Sequence, residues 1–211
     1  MPAGKIDTMT DYLGQILRLL SDAKIVADAD DRARAIIAEH GVEGLSLREV
    51  ARRLGVSHQA PYKHYPSRDH LLAEVIARAY AAFAAHLDAR PHHDDPHADL
   101  HAMGEAYLSY ALSHPLEYRL MFGTPLPDPA AHPDMMRQSR HAFALLRDAI
   151  ARLDRPEAGH AAPELDAMYV WATVHGLASL IIRQRIPMVD KELVSRMVDP
   201  VLEYLFVALK A

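Results

Sequence analysis

Residues 46–68 bring together side chains of the types that contact nucleic acid. The segment holds five Arg or Lys residues and one acidic residue, although the 211-residue chain has a formal net charge of −5. Such a local concentration of positive charge can attract a polyanion even when the whole molecule is acidic. Gln can pair with adenine and Lys with guanine in the major groove of DNA, and Gln59 and Lys63 lie in this segment. The pattern therefore predicts a surface that contacts double-stranded DNA.

Two short helices joined by a tight turn would have to position these side chains. Ser46 is a favourable N-cap, and Glu49 three positions later completes the sequence of a capping box. Gly55 can end this first helix, and Ser57 can begin a second one that extends to about Tyr65. This arrangement predicts a helix-turn-helix, whose second helix enters the major groove. The outer face of the second helix would carry three polar residues: His58, Gln59 and Lys63.

Other residues of the segment would support this contact. Ala60 is small enough for close approach to a thymine methyl group, and we expect Pro61 to remove no hydrogen bond in a first helical turn. Three further side chains could donate to phosphates, which sets the position of a protein on DNA without specifying sequence: Tyr62, His64 and Arg68. The alternative interpretation is a helical hairpin whose arginines are only solvated, or whose basic face binds a protein.

Two stretches that overlap this segment resemble a known family. Glu39 to Ser57 (EHGVEGLSLREVARRLGVS) and Tyr62 to Arg68 (YKHYPSR) are similar to the DNA-binding domain of TetR-type (TetR/AcrR) transcriptional regulators, and the resemblance extends over residues 23–83. It implies a three-helix DNA-binding head, a long fourth helix, an all-α ligand-binding body and a dimer. By motif position it implies base contacts from Arg48, His58, Gln59 and Lys63. It also implies phosphate contacts from Ser46, Tyr62, His64 and Arg68.

The chain departs from the family pattern near the start of the head. Ala29 and Asp30 stand where a large apolar pair is usual, and a carboxylate that points into the head would be costly without a partner. Either the first helix begins later, or an extra helix at residues 10–21 supplies the missing apolar surface; we favour the second explanation. A smaller departure is Ala60-Pro61, where hydroxyl residues are common.

Helical periodicity recurs along the rest of the chain, and no long stretch alternates with the period of a strand. The fold class that we predict is all-α, with an extra N-terminal helix, a helix-turn-helix head and a larger helical bundle. The corresponding domains are 1–22, 23–83 and 84–211. The predicted helices are 10–21, 24–40, 47–54, 58–65, 68–89, 98–113, 115–121, 133–153, 163–185 and 191–209.

The C-terminal half has its own candidate site. Trp171 and His175 are four residues apart, so they lie on one helical face. Together with Gly176 and the segment 114–122 they resemble the W-x-x-x-H-G motif of one TetR C-terminal subgroup, which implies a pocket for a small hydrophobic effector. For the pair itself we favour the other interpretation, that it holds helices together without contacting a ligand. The predicted pocket residues are Met103, Tyr107, Tyr110, Met121, Phe122, Phe143, Met168, Trp171 and His175.

The two last helices are among the most apolar of the chain, which favours association. In the family the corresponding helices form a four-helix bundle between two subunits, and a two-fold dimer would bind a palindromic operator. The predicted dimer residues are Leu177, Leu180, Ile181, Leu193, Met197, Val201 and Leu205.

Fourteen histidines raise the question of a metal site. His93, His97 and His101 are spaced by four and could present three imidazoles from one helix. Pro96, however, should begin the helix after His93 and so break this geometry. We therefore predict no metal and no cofactor.

The remaining patterns limit the function. The sequence has no Cys, no phosphate-binding Gly loop and no nucleophile elbow, so we expect no enzyme. It shows no signal peptide and no run of about 18 apolar residues, so we expect a cytoplasmic protein. The sequence predicts a ligand-responsive transcriptional regulator, most simply a repressor. The alternative is an all-α protein-interaction module without sequence-specific DNA binding.

Overall fold

The computed structural model describes residues 26–153, 163–183, 200–204 and 207, and within these ranges the regular structure is helical. The helices are α1 (26–40), α2 (Leu47–Leu54), α3 (Arg68–Asp88), α4 (Pro96–Ser113), α5 (Pro115–Phe122), α6 (Pro133–Ala151), α7 (Pro163–Ile182) and α8 (200–204). Short 3-10 turns occupy Val42–Gly44 and Pro61–Lys63. The all-α fold class is therefore confirmed, whereas the predicted helix 10–21 lies outside the described residues.

The chain divides into two compact units. Of the described residues, the first unit comprises 26–75 together with 126–128, and the second comprises 76–125 and those from Pro129 onward. The division falls within α3, so this helix contributes its first residues to the head and its later ones to the body.

The head is built around the apolar face of α1. Ala29, Ala33, Ile36 and Ile37 are each no more than 1% exposed. Asp30 lies inside the helical residues and is buried, so the first helix does not begin after it. Its carboxylate meets the Arg34 guanidinium at 3.3 Å, one helical turn later. This ion pair supplies a partner for a charge that would otherwise be costly to bury.

Proline marks the first turn of every helix from α4 to α7. Pro96, Pro115, Pro133 and Pro163 each stand at the beginning of their helix, where the missing backbone N–H has no helical partner to lose. α4 therefore begins two residues before the predicted position, and Asp95 caps it by accepting from the His97 N–H at 3.1 Å.

The segment after α2 differs from the prediction. Residues 58–65 form a turn and the three-residue 3-10 turn Pro61–Lys63 instead of a short α-helix. Pro61 would be the residue that donates the first helical hydrogen bond to the Ser57 carbonyl, and it has no N–H. Ala60 donates to that carbonyl instead, at 3.0 Å, which is the shorter 3-10 connection. The expectation that Pro61 removes no bond was wrong.

α4 is the central helix of the body. It packs against α5, α6 and α7, and α6 packs against α7. At its first turn the buried carboxylate of Asp99 accepts from Arg90 and Arg152, at 2.9 and 2.8 Å, and from the His93 N–H at 3.2 Å. Burial alone would raise the pKa of Asp99, but these donors and charges outweigh it and hold the pKa below its usual value. The polar linker after α3, residues 89–95, is thus held against the first turn of α4.

α7 is apolar along its length, yet only a minority of its residues are buried. Its residues Glu164–Ile182 are long and apolar enough to span a membrane by length and composition, a weak criterion that core helices of soluble proteins also meet.

Candidate functional site

The helix-turn-helix begins and ends with well-formed caps on α2. The Ser46 hydroxyl accepts from the Glu49 N–H at 3.2 Å, as the capping box predicted. Gly55 adopts the left-handed conformation (φ 68°), and its N–H donates to the Arg52 carbonyl at 3.3 Å. The Val56 N–H reaches the Ala51 carbonyl at 3.1 Å, which completes a Schellman motif. The turn that follows α2 is therefore fixed by backbone hydrogen bonds.

Two of the arginines of α2 are neutralised by carboxylates. Arg53 donates both terminal nitrogens to Glu39 of α1, at 2.9 and 2.7 Å, and its Nε to Glu49 at 2.9 Å. Arg52 binds Glu49 through two nitrogens at 2.8 and 2.7 Å. Hydrogen bonds from Arg52 and then Arg53 lower the pKa of Glu49 to about 2. Glu49 therefore binds both arginines, and Arg53 links α2 to Glu39 of α1.

The side chains predicted to contact bases remain exposed. Arg48, His58, Gln59 and Lys63 all lie at the surface of the head. Gln59 and His58 are within 3.1 Å of one another through their Nε2 atoms. Among the described residues, Arg48 and Lys63 form no ion pair, in contrast to Arg52 and Arg53. The positive charge that this surface can offer to a partner is therefore centred on Arg48 and Lys63.

The four predicted phosphate contacts lie in different environments. Tyr62 is 48% exposed and Ser46 is exposed beside its cap bond, whereas His64 is half-buried. Arg68 donates to the carbonyls of Leu45 and Val42 at 3.0 and 2.6 Å, so it also holds the start of α3 against the turn before α2. Sequence reasoning missed this structural role of Arg68, because its partners are more than 20 residues away.

The body contains a cavity of about 460 Å³. Six of the nine predicted pocket residues line it: Met103, Tyr107, Phe122, Phe143, Met168 and Trp171. α3, α4, α5, α6, α7 and α8 all contribute to the lining. The volume lies within the range of small-molecule sites in proteins.

The other three predicted residues lie outside the cavity lining. Tyr110 stacks on His114 with ring centroids 4.4 Å apart, and Met121 is buried with its carbonyl accepting from Tyr80 at 2.9 Å. His175 contacts the hydroxyls of Tyr107 and Tyr118 instead of the cavity. Helical periodicity placed these residues on an inner face, but it could not tell which neighbouring helix each one meets.

The sequence also missed residues that line the cavity. Tyr80 and Phe83 of α3 were assigned to the predicted DNA-binding domain 23–83. Ser139, Arg140 and Arg147 of α6 are polar residues that a sequence pattern assigns to solvent. Leu202 of α8 lines it as well, and a Cβ atom on Gly104 would lie 2.6 Å from the Leu202 side chain. A glycine within an apolar helix was the available signal of this close approach.

A chain of hydrogen bonds lies behind the cavity wall. The Trp171 Nε1–H donates to the Tyr107 hydroxyl at 3.3 Å, and the Tyr118 hydroxyl lies 2.7 Å from His175 Nδ1. His175 Nε2 is 3.3 Å from the Ser179 hydroxyl. Burial, and then the charge of Arg183, lower the pKa of His175, and burial raises the pKa of Tyr107 and of Tyr118. The network is therefore neutral, and it orients Trp171 and Tyr107 in the lining.

The predicted dimer residues that the structure describes lie on α7 and α8. Leu180 of α7 is 46% exposed, while Leu177, Ile181 and Val201 are half-buried. Leu193, Met197 and Leu205 lie outside the described residues.

The three evenly spaced histidines do not share one helix. His93 precedes α4, as Pro96 predicted, whereas His97 and His101 belong to the helix. Within the described part of the chain, no cluster of three or more side chains has the arrangement of a metal site.

Family models match both parts of the chain. Residues 31–75 match the model described as "Bacterial regulatory proteins, tetR family", and residues 100–202 match "Tetracyclin repressor-like, C-terminal domain". The first range contains α2 and the exposed basic residues, and the second contains much of the cavity lining. The protein belongs to the TetR family. This is a family of helix-turn-helix transcriptional regulators, and its members are not usually enzymes.

Individual transcriptional regulators are also similar to this chain. The chain is 36% identical over 118 residues to HTH-type transcriptional regulators of Mycobacterium tuberculosis (Rv1816) and Mycobacterium bovis (Mb1846). The match covers 54% of this chain and 48% of each relative, so it spans about half the length of these curated relatives.

Solved structures show the same fold. The putative regulatory protein SCO4313 is 27% identical, with a TM-score of 0.72 over 88% of this chain and 96% of that one. A transcriptional regulator of Rhodococcus sp. (RHA1_ro04179) is 24% identical, with a TM-score of 0.66 over 87% and 96% of the two chains. The second likeness concerns the fold alone. The W-x-x-x-H-G subgroup stays a prediction.

Proposed function

We propose that this TetR-family protein is a ligand-responsive transcriptional regulator that binds a palindromic DNA operator as a homodimer. The observation that carries this proposal is the difference between the cations of the head. Arg52 and Arg53 are held by Glu49 and Glu39, whereas Arg48 and Lys63 form no ion pair within the described residues. A solvated helical hairpin gives no reason for this division, but a surface that pairs with bases does.

The proposed contacts are those that the family resemblance implies by motif position. Arg48, His58, Gln59 and Lys63 contact base edges, and Ser46, Tyr62, His64 and Arg68 contact phosphates. Because residues 58–65 form a compact turn with Pro61 buried, these side chains extend from a rigid base. Arg68 has N–H groups left for a phosphate beyond those that bind the Val42 and Leu45 carbonyls.

The dimer is proposed from the surface of α7 and α8. Leu165, Tyr169 and Leu180 are between 46% and 67% exposed, and Tyr204 is 77% exposed. Leu165 and Tyr169 are four residues apart and so lie on one face of α7, and large apolar side chains exposed on one face indicate a protein interface. A two-fold dimer through this surface presents two DNA-binding heads, which requires an operator with two related half-sites.

The proposed effector is a small hydrophobic molecule that binds in the 460 Å³ cavity. It contacts Tyr80 and Phe83 of α3, the helix whose first residues belong to the head. If the DNA-binding conformation binds the effector more weakly, the effector releases the operator and the protein acts as a repressor in the bacterial cytoplasm.

The experiment begins with selection of bound duplexes from a random DNA pool by the full chain. The affinity for the selected duplex is then measured by fluorescence anisotropy at several salt concentrations. A lysine that pairs with a base contributes about 1–3 kcal/mol in each half-site, so Lys63→Ala in both subunits should cost at least about 2 kcal/mol and weaken binding by about 30-fold or more. Its loss should also relax the sequence preference at one position in each half-site.

Arg52→Gln is the matched control, because it removes a cation of α2 that is already paired with Glu49. We expect a change of less than about threefold for this variant. Failure to select any duplex, or equal losses for the two variants, would contradict the DNA-binding proposal. If the selection yields no preferred DNA sequence while sedimentation still shows a dimer, the protein-interaction alternative is favoured.

A further inference from the structure

We propose that the effector is an amphipathic anion: an apolar chain that fills the cavity and ends in a carboxylate paired with Arg140. This inference deepens the ligand-binding part of the proposed function and rests on it. It follows from how the polar groups of the cavity lining are used, at the buried end and at the exposed end.

The buried end of the cavity offers no spare polar group among the lining residues described here. The Tyr80 hydroxyl donates to the Met121 carbonyl at 2.9 Å and hydrogen bonds to Ser139. The Tyr107 hydroxyl accepts from Trp171 and lies within 3.2 Å of His175 Nδ1. Because a polar ligand group placed here would lose its hydration without gaining a partner, the inner part of the ligand must be apolar.

The exposed end is different, because it carries two arginines of α6. Arg140 and Arg147 are seven residues apart, so they lie two turns apart on one face of the helix, about 10 Å along its axis. Arg147 donates to Asp148 at 3.0 and 2.7 Å, and Glu164 also acts on its charge. Arg140 is exposed and has no ion-pair partner within the described ranges.

An anionic head group fits this asymmetry. At Arg140 it keeps much of its hydration and gains a charge-assisted hydrogen bond, while the attached chain enters the apolar interior. A cationic head group would be repelled by both arginines. A volume of about 460 Å³ suits a medium-length chain, so affinity should rise by about fourfold for each methylene until the cavity is full.

The single tryptophan of the chain provides the assay, because Trp171 lines the cavity. The full-length protein is titrated with saturated carboxylates from octanoate to palmitate, below their micelle concentrations, while Trp171 fluorescence is recorded. The primary alcohols of the same lengths are the neutral probes. We expect the carboxylate to bind about 5- to 20-fold more tightly than the alcohol of equal length.

Arg140→Gln should abolish this preference by weakening carboxylate binding alone. Arg137→Gln is the matched control, since it removes a cation of α6 that pairs with Asp134 outside the cavity lining. Both substitutions are at exposed positions, and unchanged circular dichroism and melting temperature will verify folding. Equal affinities for acids and alcohols, an equal loss in both variants, or no dependence on chain length would overturn the proposal.

The same carboxylates are then added to the complex with the selected DNA. Release of DNA by the carboxylate, lost in Arg140→Gln, supports the inference and the proposed regulation together. If the carboxylate binds with the expected dependence on Arg140 while the DNA affinity stays constant, the assignment of the ligand stands and the effector-release proposal fails.

Discussion

Replacement of Asp99 by Asn tests how the body holds the linker after α3. The Asp99 carboxylate is 1% exposed and lies between Arg90, whose side chain is 6% exposed, and Arg152, whose side chain is 46% exposed. Asn keeps an acceptor for the His93 N–H but removes the negative charge. The buried guanidinium of Arg90 then faces the positive charge of Arg152 without compensation.

The expected cost follows from these exposures. Removing one partner of a fully buried ion pair costs about 3–5 kcal/mol. Arg152 is half exposed and can recover hydration, so we expect Asp99→Asn to lower the free energy of unfolding by about 2–4 kcal/mol. For a unit of this size the melting temperature should fall by about 6–12 °C. Arg152→Gln removes the solvated partner and should cost only about 1 kcal/mol.

The pH dependence gives a second measurement. The net effect of its surroundings lowers the pKa of Asp99, so its charge stabilises the folded state above the ordinary aspartate pKa of about 4. This contribution is lost as the pH falls through the folded-state value. The wild type should therefore lose stability below about pH 4, and Asp99→Asn should lose less over that range.

Thermal and urea unfolding at one protein concentration will measure both variants, because dimer formation would make stability depend on concentration. A loss of less than about 1 kcal/mol for Asp99→Asn, or equal losses for the two variants, would refute the reasoning. Either result would mean that Arg90 finds enough water to replace the carboxylate.

Local signals predicted most of the helical boundaries. Ser46 and Gly55 define α2 at the predicted positions, and Pro115, Pro133 and Pro163 begin helices as expected. These residues act through their own backbone geometry or through hydrogen bonds within one turn, so the sequence around them contains the whole cause. The predicted domain limits stay predictions, although the two structural units divide within α3.

Sequence reasoning failed where one residue mattered through its exact position or through a distant partner. Pro61 was acceptable as a first-turn residue, but at the fourth position after Ser57 it removes the first helical bond. The partner of Arg53 is Glu39, 14 residues earlier and on another helix. A periodic pattern contains neither fact, because it shows which residues share one face of a helix and not which other helix that face contacts.

The candidate sites show the same limit. Aromatic and Met residues of the body predicted six lining positions, since large apolar side chains concentrate around cavities. Arg140 was not among the predicted residues, because a charged residue on an amphipathic helix usually faces solvent. The sequence cannot distinguish a solvated cation from one at the edge of a cavity. Only the packing of α6 against α4 and α7 makes that distinction.

Two further substitutions test the local arguments. Gly55→Ala should destabilise the head by about 1 kcal/mol in urea unfolding, because φ is 68° while the new Cβ would contact no atom within 4 Å. Tyr118→Phe removes the hydroxyl that lies 2.7 Å from His175 Nδ1 and should cost about 1–2 kcal/mol, since it leaves a partly buried acceptor with only the longer Tyr107 contact of 3.2 Å. Because this network also orients Trp171 through Tyr107, Trp171 fluorescence should change in the folded variant without ligand. Unaltered stability together with an unaltered Trp171 spectrum would show that the hydroxyl of Tyr118 neither stabilises the body nor positions the cavity wall.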